Sequence, residues 1–290
     1  MNPGRAGAAA LALITLAACS DPSTPGPESK RFERIVTLAP NLTELAFTAG
    51  AGNSVVGVSA WSDFPPVAKL LPVIGDAFMI DEERLALMQP DLLLAWDGGT
   101  PAHVIDELRR AGFHVEVLRT RSIDDVATSL RRIGELAGSE AVSERVAAEF
   151  TSAIANITER HRDRADLRVF YQVSRRPLYT ISGQHYVSEL IEICGGSNVF
   201  ADLEELAPTV DVEAVVDRNP EVLLASSAGG EDALVDWERW PDLAANRYGN
   251  HFQVPADTVS RATTRLVSAA DAVCAALDRA RANRGEAEAA

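Results

Sequence analysis

The sequence predicts an α/β protein of two Rossmann-like lobes with mostly parallel sheets, joined by one long backbone helix. Three observations carry that expectation. Short apolar strands alternate with helices through residues 34–120; residues 123–164 lack strand signals and carry an apolar stripe at helical spacing; the strand-helix alternation then resumes at residue 168. The second half also echoes the first. Residues 86–95 (ALMQPDLLLA) and 215–225 (VVDRNPEVLLA) each read as the end of an amphipathic helix, a proline, an acid and a buried strand.

Taken in order, Ile35–Leu38 is a short strand, followed by a Pro-Asn loop, a helix capped near Asn41 or Thr43, and a glycine stop at Gly50–Gly52. A second strand, Val55–Val58, empties into Trp61 and then Ser-Asp-Phe-Pro-Pro. Ligands of parallel sheets bind outside the carboxyl ends of the strands, so Asn41 and Trp61 are expected on one rim. Asp81–Met88 reads as a helix with acids in its first turn, and Asp91–Trp96 as a buried strand ending in a second rim tryptophan, Trp96, before Asp97-Gly98-Gly99. Val104–Ala111 is a helix closed by Gly112, and His114–Leu118 the next strand.

The helical middle has a possible break at Gly138-Ser139, and Val142, Val146, Phe150, Ile154 and Ile157 form one buried stripe. Beyond it, Arg168–Val173 is a strand, Tyr186–Ile193 a helix stopped by Gly195-Gly196, and Val199-Phe200 the next strand. Trp237 and Trp240 read as packing. A last strand at Phe252–Val254 and a helix from Thr263 to about residue 282 close the fold. The expected boundaries are 34–122 for the first lobe, 123–165 for the connecting helical region, 166–282 for the second lobe and 283–290 for a disordered tail.

Among 290 residues, 42 acids against 27 bases leave a formal charge of −15 and no cationic stripe, which argues against a nucleic-acid partner. The start of the chain, with Arg5, an apolar run from Ala8 to Leu16 and then Ala17-Ala18-Cys19, resembles a bacterial lipoprotein signal. That resemblance implies a signal peptide at 1–18, acylation of Cys19, a flexible tether over 19–33 and a membrane-anchored protein of the periplasm or cell envelope. An ordinary signal peptide with an incidental cysteine is the alternative. In an exported, oxidising setting Cys194 and Cys274 are expected to pair, two separate buried thiols being the other reading.

The five histidines form no metal-ligand pattern, and Gly50-Ala51-Gly52 follows a helix instead of opening one, so no dinucleotide fingerprint is present. No nucleophile elbow or phosphate loop occurs, and an enzyme is not expected. What remains is a set of aromatics with a few polar groups: Trp61, Phe64, Phe78, Trp96, Tyr179, Tyr186, Asp257 and Arg261. Such a set suits a large, partly apolar ligand.

The stretches TLAPNLTELAF, VGVSAWSDFPP, PDLLLAWDGG, ICGGSNVF, ADTVSRATTR and VCAAL, in this order, resemble the periplasmic cobalamin-binding proteins of vitamin importers. These are helical-backbone substrate-binding proteins of ABC transporters, and the likeness runs from about Arg34 to Leu277. It implies a monomer that clamps a corrinoid, a transported ligand and not a cofactor, and delivers it to a permease dimer. The ligand contacts it implies are Trp61, where the family usually has tyrosine, Trp96, Tyr179, and the segment Asp257, Thr258, Val259, Ser260 and Arg261. It also implies docking to the permease through Glu83 and Glu213 and a Cys194–Cys274 disulfide. Family tryptophans are absent at Ala77, beside Phe78, and at Ala207, and residues 258–260 are smaller than the family's. A haem or siderophore ligand stands as the alternative; Arg175-Arg176 and His185-Tyr186 are its local candidates for a cationic cluster and an axial ligand.

Overall fold

The computed structural model describes residues 1, 31–76, 79–227 and 232–289. The expected signal segment beyond Met1, Cys19, the tether up to residue 30, Ala77 and Phe78 lie outside the described residues. From residue 31 onward, β1 (Ile35–Thr37), α1 (Pro40–Thr48), β2 (Val55–Val58), α2 (Glu82–Met88), β3 (Leu92–Trp96), α3 (Ala102–Arg110) and β4 (Val115–Leu118) follow one another. The four strands form an all-parallel sheet in the order β2-β1-β3-β4. Its pleat sends Ile35, Leu92 and Leu94 to one face and Val36, Leu93 and Ala95 to the other.

Helix α1 starts earlier than the expected cap, because Pro40 suits a first helical position that needs no N–H, and Ala39 precedes it without a side-chain bond. Asn41 is therefore a buried residue inside the helix and not its cap. Gly50, at φ 86, supplies the left-handed turn that ends this unit.

The middle segment is two helices, α4 (Ile123–Ala137) and α5 (Glu140–His161), broken at Gly138 with φ 72. Ser122 and Asp125 form a capping box at the start of α4. Close to the break, a Cβ on Gly134 would lie 1.9 Å from the Ser143 hydroxyl, so only glycine lets the two helices approach there. The 22 residues of α5 make a rod of roughly 33 Å.

The second sheet is built from β5 (Leu167–Gln172), β8 (Gly196–Asn198), β9 (Val222–Ser227) and β10 (His251–Pro255), all parallel in the order β10-β9-β5-β8. Between β5 and β8 lie an antiparallel hairpin of β6 (Ser174–Arg175) and β7 (Leu178–Tyr179), then α6 (Tyr186–Ile193). Helices α7 (Val212–Arg218), α8 (Ala244–Tyr248), α9 (Ala256–Val259) and α10 (Leu266–Ala289) complete the chain. The strand expected at Val199-Phe200 falls on residues 196–198 instead. Gly195 alone is the left-handed stop, while Gly196 opens β8 where a Cβ would meet Ile191, Leu277 and Val169 within 3.1 Å.

Residues 283–289, expected to be disordered, continue α10 as helix. Asn283 donates to Asn250 Oδ1 at 3.0 Å and Arg284 to Glu221 Oε1 at 3.0 Å, which ties down its last turns. One apolar cluster runs from Ile35 and Leu42 through Leu130 and Phe150 to Val169, Leu190 and Leu266, so the two sheets share a core through the helices between them. The outer face of each sheet has its own cluster. A disulfide joins Cys194, at the end of α6, to Cys274 in α10, closing 80 residues of chain. No helix among the described residues is long and apolar enough to cross a membrane.

Candidate functional site

Because every strand in each sheet points the same way, each sheet has one edge where all strands end, and the candidate residues gather at these edges. On the first, β2 runs out into Trp61, which is 82% exposed and sits at φ 67, a left-handed conformation that a bulky side chain rarely adopts. Beneath it runs a chain of buried hydroxyls. Thr37 and Thr43 lie 2.6 Å apart, Thr43 and Ser62 2.9 Å, and Ser59 and Ser62 3.2 Å, which fixes the residue after Trp61 to the ends of β1 and α1.

Trp96, at the end of β3, is half-buried and lies across the Gly98-Gly99 turn. A Cβ on Gly99 would come within 2.3 Å of its six-membered ring, and one on Gly98 within 2.7 Å of Nε1. The two glycines are thus the condition for the indole's position. Four buried polar atoms at this edge have no hydrogen-bond partner among the described residues: Asn41 Nδ2, Trp96 Nε1, Asp97 Oδ1 and Thr120 Oγ1. Leaving such a group unpaired costs about 1–3 kcal/mol, so the edge is chemically prepared for hydrogen-bonding partners.

The two edges meet at Arg261. Its Nη1 donates to Glu44 Oε1 at 2.7 Å and to Asp63 Oδ1 at 2.7 Å, and its Nη2 to the Trp61 carbonyl at 3.1 Å. Arg265 adds a bond from Nε to Glu44 Oε2 at 2.9 Å, and its guanidinium covers the Phe64 ring at 4.6 Å. Glu44 is 1% exposed, a carboxylate enclosed by two guanidiniums. Burial works to raise the Asp63 carboxyl, but the hydrogen bond and charge of Arg261 outweigh it and hold the group below its usual range. Arg261, expected to contact a ligand, is engaged by the first lobe.

The rest of the 257–261 segment divides. Asp257 and Ser260 are exposed, while Thr258 donates from Oγ1 to the Pro255 carbonyl at 3.0 Å. The Val259 side chain is fully buried in the shared core, and so cannot face a cleft. Its carbonyl accepts from the Tyr186 hydroxyl at 3.1 Å, which places Tyr186, expected on the rim, inside the protein. Burial pushes that hydroxyl well above the usual tyrosine range. Tyr179, 36% exposed, stands on the β6–β7 hairpin of the second lobe. Glu83 and Glu213 are exposed in the first turns of α2 and α7. No group of side chains among the described residues is arranged to hold a metal ion.

Sequence reasoning missed Glu44 and Arg265. The signal for Glu44 was a single acid between Leu42 and Leu45 on the buried face of α1, where only a paired charge is tolerated. Arg265 carried no comparable mark, since arginines are frequent at helix starts and ends alike.

A family model for periplasmic binding proteins matches residues 35–258. The vitamin B12-binding protein of Vibrio cholerae is 32% identical over 271 residues, covering 91% of this chain and 97% of that one. That of Pectobacterium carotovorum is 33% identical over 247 residues, covering 84% and 88%. Among solved structures, the periplasmic vitamin B12 binding protein of Vibrio cholerae superposes with a TM-score of 0.79 at 32% identity, covering 86% of this chain and 98% of that chain. A periplasmic heme-binding protein from Roseiflexus superposes with a TM-score of 0.74 at 26% identity, covering 86% and 99%.

Proposed function

The chain belongs to the periplasmic binding protein family, and on that premise we propose that it captures cobalamin or a related corrinoid between its two lobes and delivers it to an ABC importer. The observation that carries this reading is Trp61, an exposed indole on a strained backbone, held from the opposite lobe by Arg261. An aromatic platform kept wet and fixed in position has a use only when something stacks on it. A corrinoid offers a broad apolar face and an amide-rich periphery. The face suits Trp61 and Trp96 on one side and Tyr179 on the other; the amides suit the unpartnered polar atoms of Asn41, Trp96 and Thr120. Asp257, Thr258 and Ser260 line the second-lobe side in this reading, and Phe78 completes the first. Capture and release need no covalent chemistry.

The haem alternative needs an axial ligand, and ligation by either candidate, 185 or 186, would disturb a bond that the fold uses. His185 Nδ1 accepts from the Val187 N–H at 3.1 Å, and the Tyr186 hydroxyl donates to a buried carbonyl. We propose further that residues 34–122 and 166–282 act as the two lobes, that the protein works as a monomer held to the envelope by lipid on Cys19, and that Glu83 and Glu213 dock it on the permease. Titration of the mature protein with cyanocobalamin, haemin and ferric siderophores, read by tryptophan quenching, tests the ligand. Saturable quenching by cyanocobalamin at the lowest concentration is expected; tighter binding of haemin or a siderophore would replace the reading.

A further inference from the structure

The second lobe carries a cationic pocket that the reading above does not use. The β6–β7 hairpin follows β5, and a short turn at Val235–Arg239 follows β9, so both leave the same carboxyl edge of the sheet. They are stitched together there, with the Gln172 amide donating to the Ala233 carbonyl at 2.6 Å and the Trp237 N–H to Gln172 Oε1 at 2.8 Å. Between them three guanidiniums surround one carboxylate. Asp236 Oδ2 takes Arg175 Nη2 at 2.7 Å and Nε at 3.0 Å, with Arg176 Nη2 at 3.8 Å, and Asp236 Oδ1 has Arg239 Nη2 at 3.6 Å.

Three guanidiniums converge on Asp236 among the described residues, in a chain whose formal charge is −15. The hydrogen bond from Arg175, with the charges of Arg176 and Arg239 behind it, holds Asp236 below its usual range, so it stays ionised as the buttress. Arg176 and Arg239 keep 81% and 71% of their side chains exposed and so retain donors for a further partner. The arginines open onto a cavity of about 170 Å³ floored by Trp237 and Trp240. Whole-ligand pockets run to roughly 300–1,000 Å³, so this cavity takes a single substituent, while the open hollow of about 620 Å³ that Arg175 and Arg176 also line with Ser174 and Ala233 leaves room for the rest of a ligand beside it. Planar guanidiniums around a small concavity select an oxyanion with several acceptor oxygens.

We infer that the pocket of Arg175, Arg176 and Arg239 binds a phosphodiester carried by the transported ligand, and so selects complete corrinoids, which have a nucleotide loop, over those that lack one. The inference rests on the corrinoid reading and deepens it. Arg175 is the buttressed member and Arg176 and Arg239 are the specificity-determining ones.

The test compares cyanocobalamin with dicyanocobinamide, which lacks the phosphodiester and nucleotide, on the mature protein and on the double variant Arg176→Ala/Arg239→Ala. Both residues are exposed, and the Arg175–Asp236 pair is left intact. The wild-type protein is expected to prefer cyanocobalamin by at least about tenfold, the scale of one or two charge-assisted bonds. The variant should lose that preference by weakening cyanocobalamin alone, with cobinamide affinity unchanged and serving as the control for folding. Added salt should erode the wild-type preference and leave the variant unaffected. Equal affinities in the wild type, or a preference that survives in the variant, would overturn the inference while leaving the corrinoid reading standing. Failure of both corrinoids to bind the wild type would overturn the reading itself, and the inference with it.

Discussion

A left-handed backbone costs an ordinary residue roughly 1–2 kcal/mol, and the chain accepts that cost at Trp61, where the side chain recovers almost nothing by packing. The surroundings over-determine the conformation: Arg261 donates to the Trp61 carbonyl, and the next residue, Ser62, is anchored by Thr43. Strain held in place from both sides belongs with recognition, since nothing in the folded chain benefits from it. Replacing Trp61 by Ala is therefore expected to weaken corrinoid binding by about 1–3 kcal/mol, the scale of a lost aromatic anchor. Thermal stability should barely move, because an exposed side chain contributes little to it. Quenching titrations and melting curves on the same preparation separate the two effects; unchanged affinity would make Trp61 a bystander. Trp61 and Trp96 were legible as rim residues because Trp96 closes an apolar strand run and Trp61 comes three residues after one. The Gly98-Gly99 turn under Trp96 was visible, but its purpose was not, since the need for glycine appears only when the indole is seen lying on it.

At the scale of elements, the internal echo extends from sequence to hydrogen bonds. Helices α2 and α7 both follow an aspartate, Asp81 and Asp211, and end on left-handed residues, Gln89 at φ 47 and Asn219 at φ 43. The acids after the two prolines do the same work: Asp91 accepts from the Glu33 and Arg34 N–H groups, and Glu221 from that of Arg168. Strand and helix positions were legible because such units are specified locally, by periodicity, prolines and stops. The start of β8 was not, because Gly196 serves a contact with Ile191 and Leu277 that no local pattern records. Nor was the helical character of residues 283–289, which depends on anchors at Glu221 and Asn250 far back in the chain. The cap of α6 is another such case, with a measurable consequence. His185 receives the Val187 N–H, and burial lowers its pKa from 6.5 to about 4. The unfolded chain takes up a proton near pH 6.5 that the folded protein refuses until about pH 4. This contribution is thus complete above pH 6.5 and drains away as pH falls through that window. Discounted for partial exposure it amounts to roughly 2 kcal/mol. Asn caps helices without titrating, so His185→Asn should show a smaller stability loss between pH 7 and pH 4.5 in denaturant melts. Equal acid sensitivity in the two proteins would remove His185 from the account.

From residue 31 onward the two lobes are held together by two ties, the apolar cluster shared through α4 and α5 and the Glu44 carboxylate gripped by Arg261 and Arg265 of the opposite lobe, while the Cys194–Cys274 bond braces the second lobe from within. A core continuous between the sheets leaves little room for hinge closure, so a partner must recognise both lobes in a nearly fixed relation. The docking proposal follows from that rigidity and from the repeat. Glu83 and Glu213 occupy the same second position of α2 and α7, both exposed, and neither makes an ion pair among the described residues. Two carboxylates at equivalent points on a pseudo-twofold body suit a permease dimer that offers one basic pocket to each lobe. The competing explanation is local, since an acid in the first turn of a helix gains about 0.3–1 kcal/mol from the helix dipole alone. Under that explanation, Glu83→Ala with Glu213→Ala should lower the melting temperature slightly and leave uptake intact. Under docking, the double variant should bind cyanocobalamin and melt almost as the wild type does, yet fail to support corrinoid-dependent growth of cells that rely on it. Restoring Glu at one position should recover part of the growth, because one salt-linked contact then remains; full growth of the double variant would reduce both residues to helix caps.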